Sequence, residues 1–274
     1  MTIRRHFVDG PFGQVHYRTC GNPAAKARPL LCLHQSPKSS REFVTILPHL
    51  ANQQTGEERY VIAVDSPGHG ESDVPLAQAD ATVPNYARSA WAVVDALGLL
   101  DSAGTIDILG HHTGAKVATE MAWQRPGDVA GIVMVSALVL TSDEQAEFEH
   151  MFTEVPLDEA GTRFQGQWDA AIKHRGPGVT LEMLAASVAE NNRAGDAYEW
   201  GHKAAFAYNA HFPDRVATLD HAITVLNPND MLFELTPRVA PLLKNGRVVD
   251  YQDWGFGFMD VDPQGAAKAV LEAL

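Results

Sequence analysis

Residues 106–114 read Ile-Asp-Ile-Leu-Gly-His-His-Thr-Gly, and no other segment narrows the fold of this chain as much. A short apolar run meets a tight turn with glycine at both ends, and helical periodicity starts at once. The pattern predicts a buried strand over 105–109 and a helix over 113–124, stopped by Pro126-Gly127. A Gly-x-Ser-x-Gly turn of this kind presents a serine hydroxyl at its middle position. Here the middle position, between Gly110 and Gly114, is His112.

The same texture recurs along the chain. Strands are expected at 3–8 and 14–19, joined by Asp9-Gly10-Pro11-Phe12-Gly13, then at 30–34, 60–65, 130–136, 222–226 and 247–251. Helices are expected at 43–51, 85–99, 113–124 and 263–274. Strands alternating with helices predict an α/β fold, a mainly parallel sheet covered on both faces. Residues 141–215 carry helical patterns and no clear buried strand. They divide the chain into a core (1–140 and 216–274) and an inserted helical lid (141–215) over the carboxyl edge of the sheet, where open α/β sheets bind ligands.

Composition limits the function classes. The 274 residues carry a formal charge of −13 and no block of Lys or Arg, which argues against nucleic acid and against an anionic membrane surface. No apolar run reaches the roughly 18 residues of a membrane span, and the amino-terminal residues lack the apolar core of a signal peptide. A cytoplasmic protein acting on a small-molecule substrate is the expectation, and the composition allows a homodimer. Cys20 and Cys32 are the only cysteines and read as two reduced thiols. The chain lacks His-Glu-x-x-His, a P-loop and a Gly-x-Gly-x-x-Gly after a strand, so no metal, nucleotide or flavin cofactor is implied.

Four landmarks in order resemble the α/β-hydrolase fold family over nearly the whole chain. They are Leu30-Leu-Cys-Leu-His34-Gln35 at the oxyanion loop, Asp65-Ser66-Pro67-Gly68-His69-Gly70-Glu71-Ser72 at the Asp-x-Pro-Gly-x-Gly-x-Ser segment, Gly110–Gly114 at the nucleophile turn, and Val225-Leu-Asn-Pro-Asn-Asp230 at the strand and loop of the acid. Asp65 and Asp73 sit in this Pro-Gly context and read as loop architecture. The resemblance implies a hydrolase fold with an inserted lid. Two departures stand out. His112 occupies the nucleophile position, and the late-loop stretch Trp254-Gly255-Phe256-Gly257 has Phe256 where the family carries its histidine. No histidine follows His221.

An imidazole projects further than a serine hydroxyl, so His112 could occupy the space of the late-loop histidine, with Phe256 as an apolar wall. Asp230 would then orient the ring and stabilise imidazolium, as a triad acid does. His112 and Asp230 are the candidate catalytic pair, with His112 as general base rather than nucleophile. Asp143, after the strand ending at Ser136, is a rival acid. By position in the family, backbone N–H groups of Gln35 and Thr113 form the oxyanion hole. His34, Ser36, Phe256, Trp168 and Trp200 are candidate pocket residues, though His34 also reads as a ring that holds its loop under the sheet edge. His111 is expected to face away and pack on a neighbouring strand. The lid histidines His150, His174, His202 and His211 are read as surface or core. The expectation is a cofactor-free enzyme on a small apolar carbonyl compound, hydrolysing an ester, lactone or activated C–C bond. The alternatives are a lyase, isomerase or cyclase at the same site, or a ligand-binding protein without catalysis.

Overall fold

The structure, a computed structural model, describes residues 1–52 and 58–274. The chain opens on a hairpin, β1 (Arg4–Gly10) and β2 (Gly13–Cys20), followed by β3 (Leu30–Leu33). A 3-10 turn at Ser40–Phe43 leads to α1 (Leu47–Ala51) and β4 (Val61–Val64). Then come α2 (Val83–Ala96), α3 (Leu99–Ala103), β5 (Ile106–His111), α4 (Thr113–Gln124) and β6 (Val129–Val135). Five helices follow: α5 (Ser142–Met151), α6 (Thr162–Lys173), α7 (Leu181–Asn191), α8 (Trp200–Ala207) and α9 (Phe212–Thr218). The chain ends with β7 (Ala222–Pro228), β8 (Gly246–Tyr251), α10 (Phe258–Val261) and α11 (Pro263–Ala273).

The eight strands form one sheet in the order β1-β2-β4-β3-β5-β6-β7-β8. The hairpin and the β2–β4 pair are antiparallel, and the rest is parallel. The inner strands β3 to β7 are buried on both faces, as a helix-covered parallel sheet requires, while the edge strands β1 and β8 are largely exposed or half-buried. Side-chain alternation sends Leu31, Leu33, Ile106, Ile108, Ile132 and Met134 to a core under α2, α4 and α9. It sends Leu30, Cys32, Leu109, Val133 and Val135 to a second core under α1, α10 and α11. Cys20 and Cys32 are buried free thiols in that second core.

Three expectations need adjusting. The helix expected over 85–99 breaks near its end, because Gly98 takes φ 59 and starts the separate α3. The segment 43–51 is helical only from Leu47, after a 3-10 turn and link. Residues 212–215, assigned to the lid, open α9, whose Phe212 and Val216 are buried in the core beneath α4. Apolar periodicity does not say which layer a helix serves. Among the described residues no helix is long and apolar enough to cross a membrane.

Candidate active site

The turn between β5 and α4 is tight because two glycines leave no room for side chains. A Cβ on Gly110 would lie 2.3 Å from Gly114 O, and one on Gly114 would lie 2.0 Å from Leu33 O. Helix α4 therefore starts directly against the ends of β5 and β3. His112, between them, takes φ 47 and ψ −106 and is tied by its N–H to Val135 O at 2.9 Å. A positive φ costs a non-glycine residue about 1–3 kcal/mol and persists only where the surroundings enforce it. Ser136, at the end of the neighbouring β6, is the one other described non-glycine residue with positive φ, at 57°.

These two strained residues meet on one carboxylate. His112 Nε2 lies 2.9 Å from Asp230 Oδ2. Ser136 Oγ donates to the same oxygen at 2.8 Å, and the Leu232 N–H donates to Oδ1 at 2.7 Å. The Asp230 side chain is 2% exposed and that of His112 is 15% exposed. Burial pushes the Asp230 carboxyl up, but the His112 ring, the Leu232 N–H and the Ser136 hydroxyl outweigh it and hold it below its ordinary value. An ionised carboxylate only accepts hydrogen bonds, so the neutral ring carries its proton on Nε2 and its lone pair on Nδ1.

A cavity of about 780 Å³ lies between the carboxyl edge of the sheet and the helices that follow β6. His112, Asp230, Thr113, Gln35, Ser36 and Phe256 line it from the sheet side. Leu138, Phe148, Phe152, Phe206 and Leu232 supply an apolar wall. His34, Trp168 and Trp200 are not on its wall, contrary to expectation. His34 is buried, with Nδ1 at 2.8 Å from Gln35 O and Nε2 accepting the Ser66 N–H at 2.9 Å, so it braces two loops. Trp200 packs against the core under α4, and Trp168 sits half-buried on α6. Aromatic size predicts burial but not the direction of burial. The helical insertion contributes His174 and His202 instead, and His202 Nδ1 is bonded to Glu199. Asp143 lies exposed at the start of α5, away from the cavity.

Two further expectations change. Thr113 is the first residue of α4, and its N–H is one of the four that a helix leaves without an internal acceptor. It has no partner among the described residues. The Gln35 N–H, in contrast, donates to Glu42 Oε2 at 3.1 Å, and the Gln35 side-chain amide bonds the other Glu42 oxygen. His111 does not pack on a strand. Its Nδ1 lies 2.9 Å from Glu42 Oε1, and its ring stands edge-on to His112 with centroids 4.6 Å apart. Burial pushes the Glu42 carboxyl up, yet His111 and Gln35 hold it down to about 2. Neither Glu42 nor Ser136 was singled out from sequence. A serine closing a buried strand beside the turn is the one local signal that could have pointed to Ser136.

His111, His112 and Asp230 each offer one ligand atom, all within 4.8 Å of one another. Two imidazoles and a carboxylate are a donor set that zinc or ferrous iron accepts. The three residues could hold such an ion, while the His112–Asp230 hydrogen bond is complete without one.

Comparison with known proteins agrees with this architecture. A sequence profile described as the alpha/beta hydrolase fold matches residues 28–176, more than half of the chain. An uncharacterized protein of Mycobacterium tuberculosis is 34% identical over 138 residues, covering 50% of this chain and 37% of that protein. A non-heme chloroperoxidase of Streptomyces lividans is 29% identical over 225 residues, covering 74% of this chain and 77% of the relative. Among solved structures, epoxide hydrolase A from Mycobacterium thermoresistibile superposes with a TM-score of 0.78 at 17% identity, covering 100% of this chain and 98% of the other. The matched segment holds the oxyanion-loop strand, the Pro-Gly loop and the turn at His112, and it ends before Asp230. With the sheet order, the helical insertion and the sharp β5–α4 turn, it establishes that the chain belongs to the α/β-hydrolase fold family.

Proposed function

We propose that the protein is a cofactor-free enzyme in which His112, in the place of the family's serine nucleophile, acts as general base on a small carbonyl substrate. The hydrogen bond between His112 and Asp230, 2.9 Å long and set in the cavity wall, carries this reading. Asp230 fixes the tautomer and stabilises the imidazolium, which leaves Nδ1 to take a proton. Phe256 supports the reading as well, since it lines the cavity where the family carries a histidine and brings no rival base.

Hydrolysis of an ester or lactone follows from this arrangement. Nδ1 removes a proton from water as the oxygen attacks the carbonyl carbon. The developing oxyanion is met by the Thr113 N–H at the start of α4, where the helix end is electropositive. As the tetrahedral species collapses, imidazolium returns the proton to the departing alkoxide. Water is consumed, and an acid and an alcohol are formed. Of the two expected backbone donors, the Thr113 N–H is free among the described residues, whereas the Gln35 N–H is engaged by Glu42. The helices over the sheet edge act as a lid that keeps the site out of bulk water.

The test is a screen of nitrophenyl esters, lactones and β-diketones against the wild type and His112→Ala. The expected result is turnover that falls about 100-fold or more in the variant, the usual contribution of a positioned base. Full turnover by His112→Ala would overturn the assignment. Binding without turnover by the wild type would favour a silent binding protein, and product formed without uptake of water would favour a lyase, isomerase or cyclase. Dialysis against a chelator is expected to leave activity unchanged. Loss on chelation, restored by zinc, would show that His111, His112 and Asp230 act as metal ligands instead.

A further inference from the structure

The cavity wall is charged against the trend of the molecule. The chain carries a net −13, yet the wall holds Lys38, Lys116, Arg163, Lys173 and Arg175 against only Glu199 and Asp230. Both acids are already engaged, by His202 and His112 respectively. Most of the cations are accounted for too. Arg163 pairs with Asp196, Arg175 donates to Val179 O, and Lys173 and Arg175 are exposed. Lys38 feels the carboxylates of Glu42, Glu190 and Asp260.

Lys116 stands apart. It lies on α4, one turn beyond His112, and is 2% exposed. Its Nζ donates to Ala205 O at 2.7 Å and to Asn209 Oδ1, two neutral acceptors on the helical insertion. Among the described residues it has no ion-pair partner. Glu120, one turn further along α4, is taken up by Tyr208 and Arg215. Burial alone pushes the ammonium down to about 7. In its protonated form, which a bound carboxylate would favour, the ammonium has three N–H donors, so one remains beyond these two acceptors, with the Phe212 ring centre 5.6 Å from Nζ. A buried cation without a counter-charge is costly unless something supplies that charge, and Lys116 lines a cavity that a ligand can enter.

We propose that Lys116 is the anchor for a carboxylate on the substrate, so the cavity takes an amphipathic carboxylic acid. Its apolar body lies on Leu138, Phe148, Phe152 and Phe206, and its carboxylate accepts the third N–H of Lys116. This names a substrate class for the site described above, and it rests on that site being a binding pocket but not on the role of His112. Lys116 is a binding residue here. It holds the acid end of the substrate a helical turn away from the proton-transfer group, and the carbonyl to be attacked is a second function on the same molecule.

The experiment compares 4-phenylbutanoate with 4-phenylbutanamide, two probes of nearly equal shape, by calorimetry on the full chain. The wild type is expected to bind the carboxylate at least about tenfold more tightly, the scale of one charge-assisted hydrogen bond. Lys116→Met, verified as folded by its circular dichroism, is expected to lose that preference. Equal binding of both probes, binding of neither, or a preference that survives in Lys116→Met each overturns the proposal. Should Lys116→Met not fold, the wild type still decides: the Lys116 ¹³Cε resonance moves with the carboxylate and not with the amide, and an unmoved resonance overturns the assignment. His112→Ala should keep the carboxylate preference while losing turnover, so failure of the base reading and failure of this one are distinct.

Discussion

His112 holds a positive φ, sits at the start of a helix and shares a carboxylate oxygen with Ser136. Strain of this kind is kept only where neighbours over-determine it, and here Gly110, Gly114 and the bond to Val135 O do so. If Asp230 sets the tautomer and charge of the ring, Asp230→Asn should lower kcat by about 100- to 10,000-fold with KM little changed, as for a triad acid. Ser136→Ala removes one of three donors around Asp230 and should cost about tenfold or less. Steady-state kinetics of both variants on one ester check the order. A Ser136→Ala loss as large as that of Asp230→Asn would mean that the serine takes part in the chemistry itself.

At the scale of elements, the β5–α4 unit was legible almost to the residue. Apolar strand, flanking glycines and the Pro126-Gly127 stop are all local signals, and α4 runs over Thr113–Gln124 as they predict. The glycine spacing is a steric requirement, so Gly114→Ala should destabilise the fold by about 3 kcal/mol or more, because the new methyl meets Leu33 O, a backbone atom that cannot swing away. Thermal melting checks this, and an unchanged Tm would mean the turn is looser than its geometry implies. The insertion was legible as helical, because its periodicity is strong, but not in its aim. Which of its aromatic and histidine side chains face the cavity depends on helix rotation against the sheet. Trp168 and Trp200 turn elsewhere, and Phe148, Phe152 and His202 turn inward.

Over the whole molecule, buried carboxylates tie distant loops together. Glu42 joins His111 and the Gln35 loop, and Asp65 joins His16 to the Ser40 and Glu71 N–H groups. Burial opposes both charges, yet their partners hold Glu42 down to about 2 from 4.5 and Asp65 down to about 2 from 3.8. Each carboxyl therefore binds a proton more readily in the unfolded chain. Its stabilisation is complete above about pH 4.5 and drains away as pH falls toward 2. Urea unfolding across pH should show a plateau above about pH 5 and a steady decline below 4.5. Glu42→Gln should reduce the decline and cost about 3–5 kcal/mol at pH 7, since it breaks a buried pair. A stability that is flat down to pH 2 would contradict this account.

The layered α/β architecture, the sharp strand-to-helix turn and the two residues at the sheet edge, His112 and Asp230, were all legible in the order of residues. These follow from periodicity, glycine and proline, which act over a few residues. The surroundings of that pair came from the packing of distant segments. Glu42 reaches His111 across 69 positions, and Asp230 reaches His112 across 118. That packing also decided that Gln35 spends its N–H on Glu42, and that Lys116 is buried at the cavity without a counter-charge. Side-chain direction and charge compensation depend on which distant segments fill the space around a residue, and local sequence carries no record of that.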